Sequence, residues 1–174
     1  MIDFHFDPAT WSAIKVIGGF VAGFAVSRLT MSKAERKAHQ QRLYENGKEH
    51  RKARDERSHD FQAALKAYIL KVEPADLEDF HSISRAGELY FGELRMIADA
   101  ILGKKIDDQV RDNTFVPDIV EALQKTIPAY YEELRRVADK IGVPFSGEFR
   151  RENYQSLVEV AEKFGRMRVP KSSW

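Results

Sequence analysis

Two Glu-x-x-His pairs are the residues of this sequence whose types and spacing could do chemistry. Glu56 stands three positions before His59, and Glu78 stands three positions before His81. On a helix, that spacing places a carboxylate and an imidazole one turn apart on the same face. Two such pairs, with further Glu side chains, form the carboxylate cage of di-iron helical bundles. The candidates for the remaining ligands are Glu88, Glu93, Glu121, Glu132 and Glu133.

The surroundings of these pairs argue against a buried metal cage. Glu56 lies in the charged stretch ARDERSHD, and the two histidines stand only 22 residues apart across a turn that contains Pro74. Surface Glu and His residues are expected in a chain of which 32% is charged. The sequence also contains no nucleophile elbow, P-loop, GxGxxG or HExxH motif. We therefore assign no catalytic residue, metal or cofactor, and a di-iron enzyme is only the third hypothesis.

The stretch WSAIKVIGGFVAGFAVSRL, residues 11–29, predicts a transmembrane helix. At about 1.5 Å per residue it would span roughly 28 Å, close to the ~30 Å hydrocarbon core of a bilayer. Trp11, Lys15 and Arg28 are placed for the membrane interface. The alternative is a buried core helix, because only residues 16–26 are free of charge. A cleaved signal peptide fits less well, since the residues before this stretch are acidic.

Charge predicts the orientation of this helix. Asp3 and Asp7 precede it, whereas residues 28–59 contain ten Lys and Arg against five Asp and Glu. Positive residues stay on the cytoplasmic side of a membrane. We therefore expect a single pass through a bacterial-type inner membrane or a plasma membrane. Residues 1–10 would lie outside, and the C-terminal domain would lie in the cytoplasm, where the absence of cysteine fits a reducing compartment.

Small residues predict an association face on the same helix. Gly19, Gly23 and Ser27 are each four positions apart, and the two glycines form a GxxxG pattern. Small residues in that register let two membrane helices approach closely. The chain could thus form a homo-oligomer, although the glycines could equally fit the bilayer alone.

Residues 30–59 predict a basic juxtamembrane helix that is polar on all sides. Ser32 and Glu35 have the spacing of a capping box at its start, and Asn46-Gly47 is its expected weak point. The candidates for contact with anionic lipid are Lys33, Arg36 and Lys37. The alternative is a solvated helix whose charge only sets topology. Nucleic acid is the least favoured partner, because Tyr44 is the only aromatic residue available for stacking.

Residues 60–165 predict an all-α antiparallel bundle of about four helices, because apolar residues recur three and four positions apart. Helix ends are expected at Pro74, Gly103 and Gly142, with Asp76 capping the second helix and Pro128 kinking the third. Residues 166–174 are expected to form a flexible tail.

These features favour a membrane-anchored interaction protein. The leading hypothesis is an adaptor, or a small subunit of a membrane complex, whose cytoplasmic bundle binds an unidentified protein. The alternative is a membrane effector that oligomerises through Gly19 and Gly23 and perturbs the bilayer.

Overall fold

A computed structural model describes residues 33–165, and this part of the chain is all-helical with about four helices, as predicted. Helix α1 is Lys33–Leu70 and α2 is Leu77–Leu102. Helix α3 covers residues 108–141. It consists of the α-helical segments Asp108–Val110, Val116–Glu121 and Ile127–Ile141, joined by π-helical turns at Arg111–Phe115 and Ala122–Thr126. A 3₁₀ turn, Arg151–Tyr154, leads into α4, Gln155–Lys163.

The first two helices run in opposite directions. His50, in the middle of α1, contacts Glu93 in the second half of α2. Lys71, just after α1, bonds to Asp79 in the first turn of α2. Because the contacts occur in reverse order along the two helices, α1 and α2 form an antiparallel hairpin.

The last two helices are also antiparallel. The guanidinium of Arg111, early in α3, lies over the ring of Phe164 just beyond α4. The hydroxyl of Tyr131, late in α3, is 3.2 Å from that of Tyr154 just before α4. The short connections between neighbouring helices account for this alternation.

One face of residues 43–59 of the expected stalk packs against the bundle, and α1 continues through Asn46-Gly47 without a break. Gly47 is buried, and a Cβ added there would lie 3.1 Å from Val110 Cγ1 of α3. Gly47, which we expected to weaken the helix, therefore leaves room for the side chain of Val110 from α3. By contrast, residues 33–42 of α1 are all exposed.

Each proline in α3 follows a π-helical turn. The amide of Val116 donates to the carbonyl of Arg111, and the amide of Ile127 donates to that of Ala122, in both cases five residues back. In a regular helix, the ring of Pro117 or Pro128 would clash with the carbonyl four residues earlier. The kink predicted at Pro128 is thus a wide turn, which lets the helix continue to Ile141.

The helix ends predicted at Asp76, Gly103 and Gly142 are confirmed. Asp76 caps α2, accepting from the amide of Asp79 while its own amide donates to the Asp79 carboxylate. Gly103 caps the other end of α2. Gly142 ends α3 in the left-handed conformation, with φ of 70°, which glycine adopts without steric cost.

Aromatic rings fill the centre of the bundle. Phe61 of α1 and Phe91 of α2 pack edge-on against the ring of Tyr130 from α3. That ring also lies on the bare backbone of Gly87, and its hydroxyl donates to the carbonyl of Ser84 at 3.1 Å. Close approach of α2 and α3 therefore depends on Gly87 having no side chain.

Within residues 33–165, no helix is both long and apolar enough to cross a bilayer. The transmembrane helix expected at residues 11–29, the segment 1–10 and the tail 166–174 all lie outside the described residues.

We predict opposite effects of alanine at two glycines of α2. A Cβ at Gly87 would lie 2.3 Å from Tyr130 Cε2, whereas a Cβ at Gly92 would have Arg95 Nη2 as its nearest neighbour, at 3.9 Å. Gly87→Ala should lower the free energy of unfolding by about 1–2 kcal/mol, because overpacking outweighs the gain in helix propensity. Gly92→Ala should raise it by up to about 1 kcal/mol. Urea unfolding midpoints measure both, and stabilisation by both variants would contradict the packing at Gly87.

Candidate interaction surface

The structure leaves the two Glu-x-x-His pairs on the surface. Glu56 and His59 are exposed on α1, and Glu78 and His81 are exposed on α2. No three His, Asp or Glu side chains in the described part of the chain are grouped so that they could hold a metal ion. The di-iron cage considered above is therefore not assembled by residues 33–165.

Glu93, one of the candidate ligands, instead forms a contact between helices. Among residues 33–165, Glu93 is the charged residue that is buried in the core, with 6% of its surface exposed. Its Oε1 lies 3.0 Å from Nδ1 of His50 on α1. A carboxylate removed from water is costly unless it is paired, so this contact sets where α1 lies against α2.

A second polar contact joins α1 to α3. Arg54 Nη1 lies 2.7 Å from Asp118 Oδ2, and Arg54 Nε lies 3.0 Å from Asp55 Oδ1. Desolvation raises the pKa of the half-buried Asp118, while the charge of Arg54 opposes that rise.

Neither contact was predicted from the sequence, although the spacing of residues along α1 indicates which of its side chains face the core. The stripe of Phe61, Leu65 and Tyr68 continues backwards in steps of three and four residues. The positions reached are Ser58, Arg54, His50 and Gly47. The core-facing stripe of α1 is therefore polar in its first half and apolar in its second.

Lys71 holds the turn between α1 and α2. Its ammonium donates to Asp76 at 2.7 Å and to Asp79 at 2.8 Å. These hydrogen bonds, first that to Asp76, raise the pKa of Lys71, and the bond from Lys71 lowers the pKa of Asp76. The hydrogen bonds of Lys71 at the turn and the His50–Glu93 contact farther along the helices therefore hold α1 against α2 at two separate points.

An open apolar groove of about 950 Å³ lies between α1 and α2. We call it the α1–α2 groove. The α1 side is mostly alanine, while α2 contributes two leucines that are about half exposed, Leu77 at 51% and Leu89 at 43%. Both acidic and basic side chains border it. The groove is lined by Asp60, Ala63, Ala64, Ala67, Leu77, Glu78, His81, Ser82, Arg85, Ala86 and Leu89.

The residues predicted to contact the membrane divide into two sets. Lys33, Arg36 and Lys37 lie exposed in the first two turns of α1. The others lie outside the described residues: Trp11, Lys15, Gly19, Gly23, Ser27 and Arg28. Their roles stay predictions.

Comparison of the chain with protein-family models, with curated proteins and with solved structures finds no match. The features of the chain that bear on its function are the α1–α2 groove and the distribution of charge along the sequence.

We predict that removing the partner of Glu93 is worse than removing the whole pair. His50→Leu leaves a buried carboxylate unpaired and should lower the free energy of unfolding by about 2 kcal/mol or more. Combining His50→Leu with Glu93→Leu should cost less than His50→Leu alone, because no charge then remains buried.

The matched control is His59→Leu, at an exposed position on the same helix, which should change stability by less than about 0.5 kcal/mol. Denaturant unfolding of the four proteins provides the comparison. A double variant less stable than His50→Leu would contradict the importance of the buried charge.

Proposed function

We propose that this chain is a membrane-tethered interaction module whose α1–α2 groove binds a helix of a protein partner. The groove is the observation that carries this proposal. It exposes two leucines beside a row of alanines, and an apolar surface bordered by polar residues is typical of interaction sites.

The groove has the features of a helix-binding site. Most of its lining residues are exposed, so it opens along its length and would not enclose a small ligand. The alanines of α1 allow another helix to approach closely, and the leucines of α2 offer apolar anchors. An amphipathic helix with an apolar stripe and flanking charges of both signs fits this surface.

The tether is supported by the apolar stretch at residues 11–29 and by the exposed basic residues that follow it. Lys33, Arg36 and Lys37 precede the part of α1 that packs in the bundle. Each would gain roughly 1 kcal/mol from an anionic membrane surface. The proposed arrangement places the bundle in the cytoplasm, close beneath the membrane.

A substitution in the groove tests the binding role. Leu89→Asp places a charge in the apolar groove and should reduce the protein partner recovered with the full-length chain in mild detergent by at least tenfold. Met96→Asp is the matched control, because Met96 is 53% exposed on the same helix but does not line the groove. Equal recovery with wild type and both variants would contradict the proposal.

A separate measurement tests the tether. The full-length chain should stay with membranes washed in alkaline carbonate, because an apolar helix is held by the bilayer core rather than by surface charge. Protease added to sealed, right-side-out cells should leave the bundle intact. Release of the chain by carbonate, or digestion of the bundle from outside, would contradict the proposed placement.

A further inference from the structure

We propose that one flank of α1 rests on anionic lipid headgroups, so that the bundle lies with this flank against the bilayer surface and with the α1–α2 groove directed away from it. This inference rests on the proposed tether and adds the orientation of the bundle. We call this surface the basic flank. Its residues are all exposed and are reached in steps of three and four positions: Tyr44, Lys48, Arg51, Lys52, Asp55, His59, Gln62 and Lys66.

The basic flank and the groove lie on opposite sides of α1. Asp60, Ala64 and Ala67, which line the groove, each follow a residue of the basic flank by sixteen positions. Sixteen residues correspond to about 160° around a helix. A surface that covers the basic flank therefore leaves the groove open to a partner in solution.

The two sides of α1 also differ in charge. The basic flank carries four Lys and Arg against the single acid Asp55. The side that leads into the groove carries Glu49, Glu56 and Asp60 against Arg57. An anionic surface is attracted to the first side and repelled by the second, so it selects one face of the helix.

The acids closest to the basic flank are already paired. Asp55 Oδ1 lies 3.0 Å from Arg54 Nε, and Asp118 Oδ2 of α3 lies 2.7 Å from Arg54 Nη1. In contrast, neither Lys48 nor Arg51 is within ion-pair distance of a carboxylate in the part of the chain that the structure describes. These two cations therefore remain available to anions outside the protein.

Tyr44 gives the basic flank a second property that suits a membrane surface. It is 59% exposed, whereas every other aromatic residue of the described chain is buried or half-buried. A tyrosine ring with its hydroxyl fits the headgroup region, which is apolar on one side and wet on the other. Tyr44 lies one turn before Lys48, so the ring and the ammonium would reach the headgroups together.

Lipid is favoured over nucleic acid as the anionic partner. Binding to a single strand uses successive aromatic rings for stacking, and the basic flank has only Tyr44. Lipid headgroups move within the bilayer and can gather around a few cations, whereas the phosphates of a nucleic acid have fixed spacing. The proposed tether would also hold the flank near the bilayer, where surface attraction acts over about 10 Å.

A fluorescent label on the basic flank tests this placement. The chain contains no cysteine, so Gln62→Cys provides a single exposed thiol on the flank, and Ala67→Cys provides one in the groove as a control. The labelled full-length chains are reconstituted into vesicles that contain a headgroup-linked quencher. At residue 62, quenching should be about twofold stronger when roughly a third of the phosphatidylcholine is replaced by phosphatidylglycerol, and about 1 M salt should abolish this difference. Quenching at residue 67 should not change.

Neutral substitutions identify the charges responsible. Lys48→Gln combined with Arg51→Gln should remove the dependence of quenching at residue 62 on phosphatidylglycerol. The matched control is Arg85→Gln combined with Lys163→Gln, which removes the same charge from exposed positions elsewhere and should leave that dependence intact. Equal effects of the two double variants would show a response to net charge alone and would overturn the proposal.

Failure of the flank and failure of the tether give different results. Equal quenching at residue 62 in neutral and anionic vesicles, from a chain that resists alkaline carbonate, overturns the flank while the tether survives. Release by carbonate, with the lipid dependence at residue 62 intact, refutes the tether and leaves the flank as the membrane contact. A response of the label to an added RNA oligonucleotide but not to phosphatidylglycerol would assign the flank to nucleic acid and overturn the proposal.

Discussion

The buried carboxylate of Glu93 is the polar group that joins α2 to α1 in the first half of this bundle. Burying a charge without a partner costs several kcal/mol, and the imidazole of His50 lies 3.0 Å away. The register of α1 against α2 brings His50 to this position. At the other end, Lys71 bonds to Asp79 and to the cap of α2. The α1–α2 groove lies between these two contacts.

The sequence was sufficient for the approximate number of helices and for several of their ends, because those signals are local. The capping box at Asp76, the glycines at 103 and 142, and the three-and-four spacing of apolar residues each act over a turn or two. The extent of the bundle along α1 was different. The core-facing positions of that segment include Gly47, His50 and Arg54. Because none of these has a large apolar side chain, the hydrophobic periodicity of the sequence indicates a solvated segment there. The contacts that hold it involve residues more than forty positions away.

For Pro128 of α3 too, the sequence predicts that the helix is irregular but not which kind of irregularity forms. That Pro128 removes a backbone donor is evident from the sequence, and an irregularity was predicted there. That the irregularity is a π-helical turn was not evident, because a kink and a wide turn both relieve the clash. The groove could not be predicted for a related reason. Leu77 continues the spacing of the core residues of α2, and only the folded bundle shows that it is about half exposed, as Leu89 is.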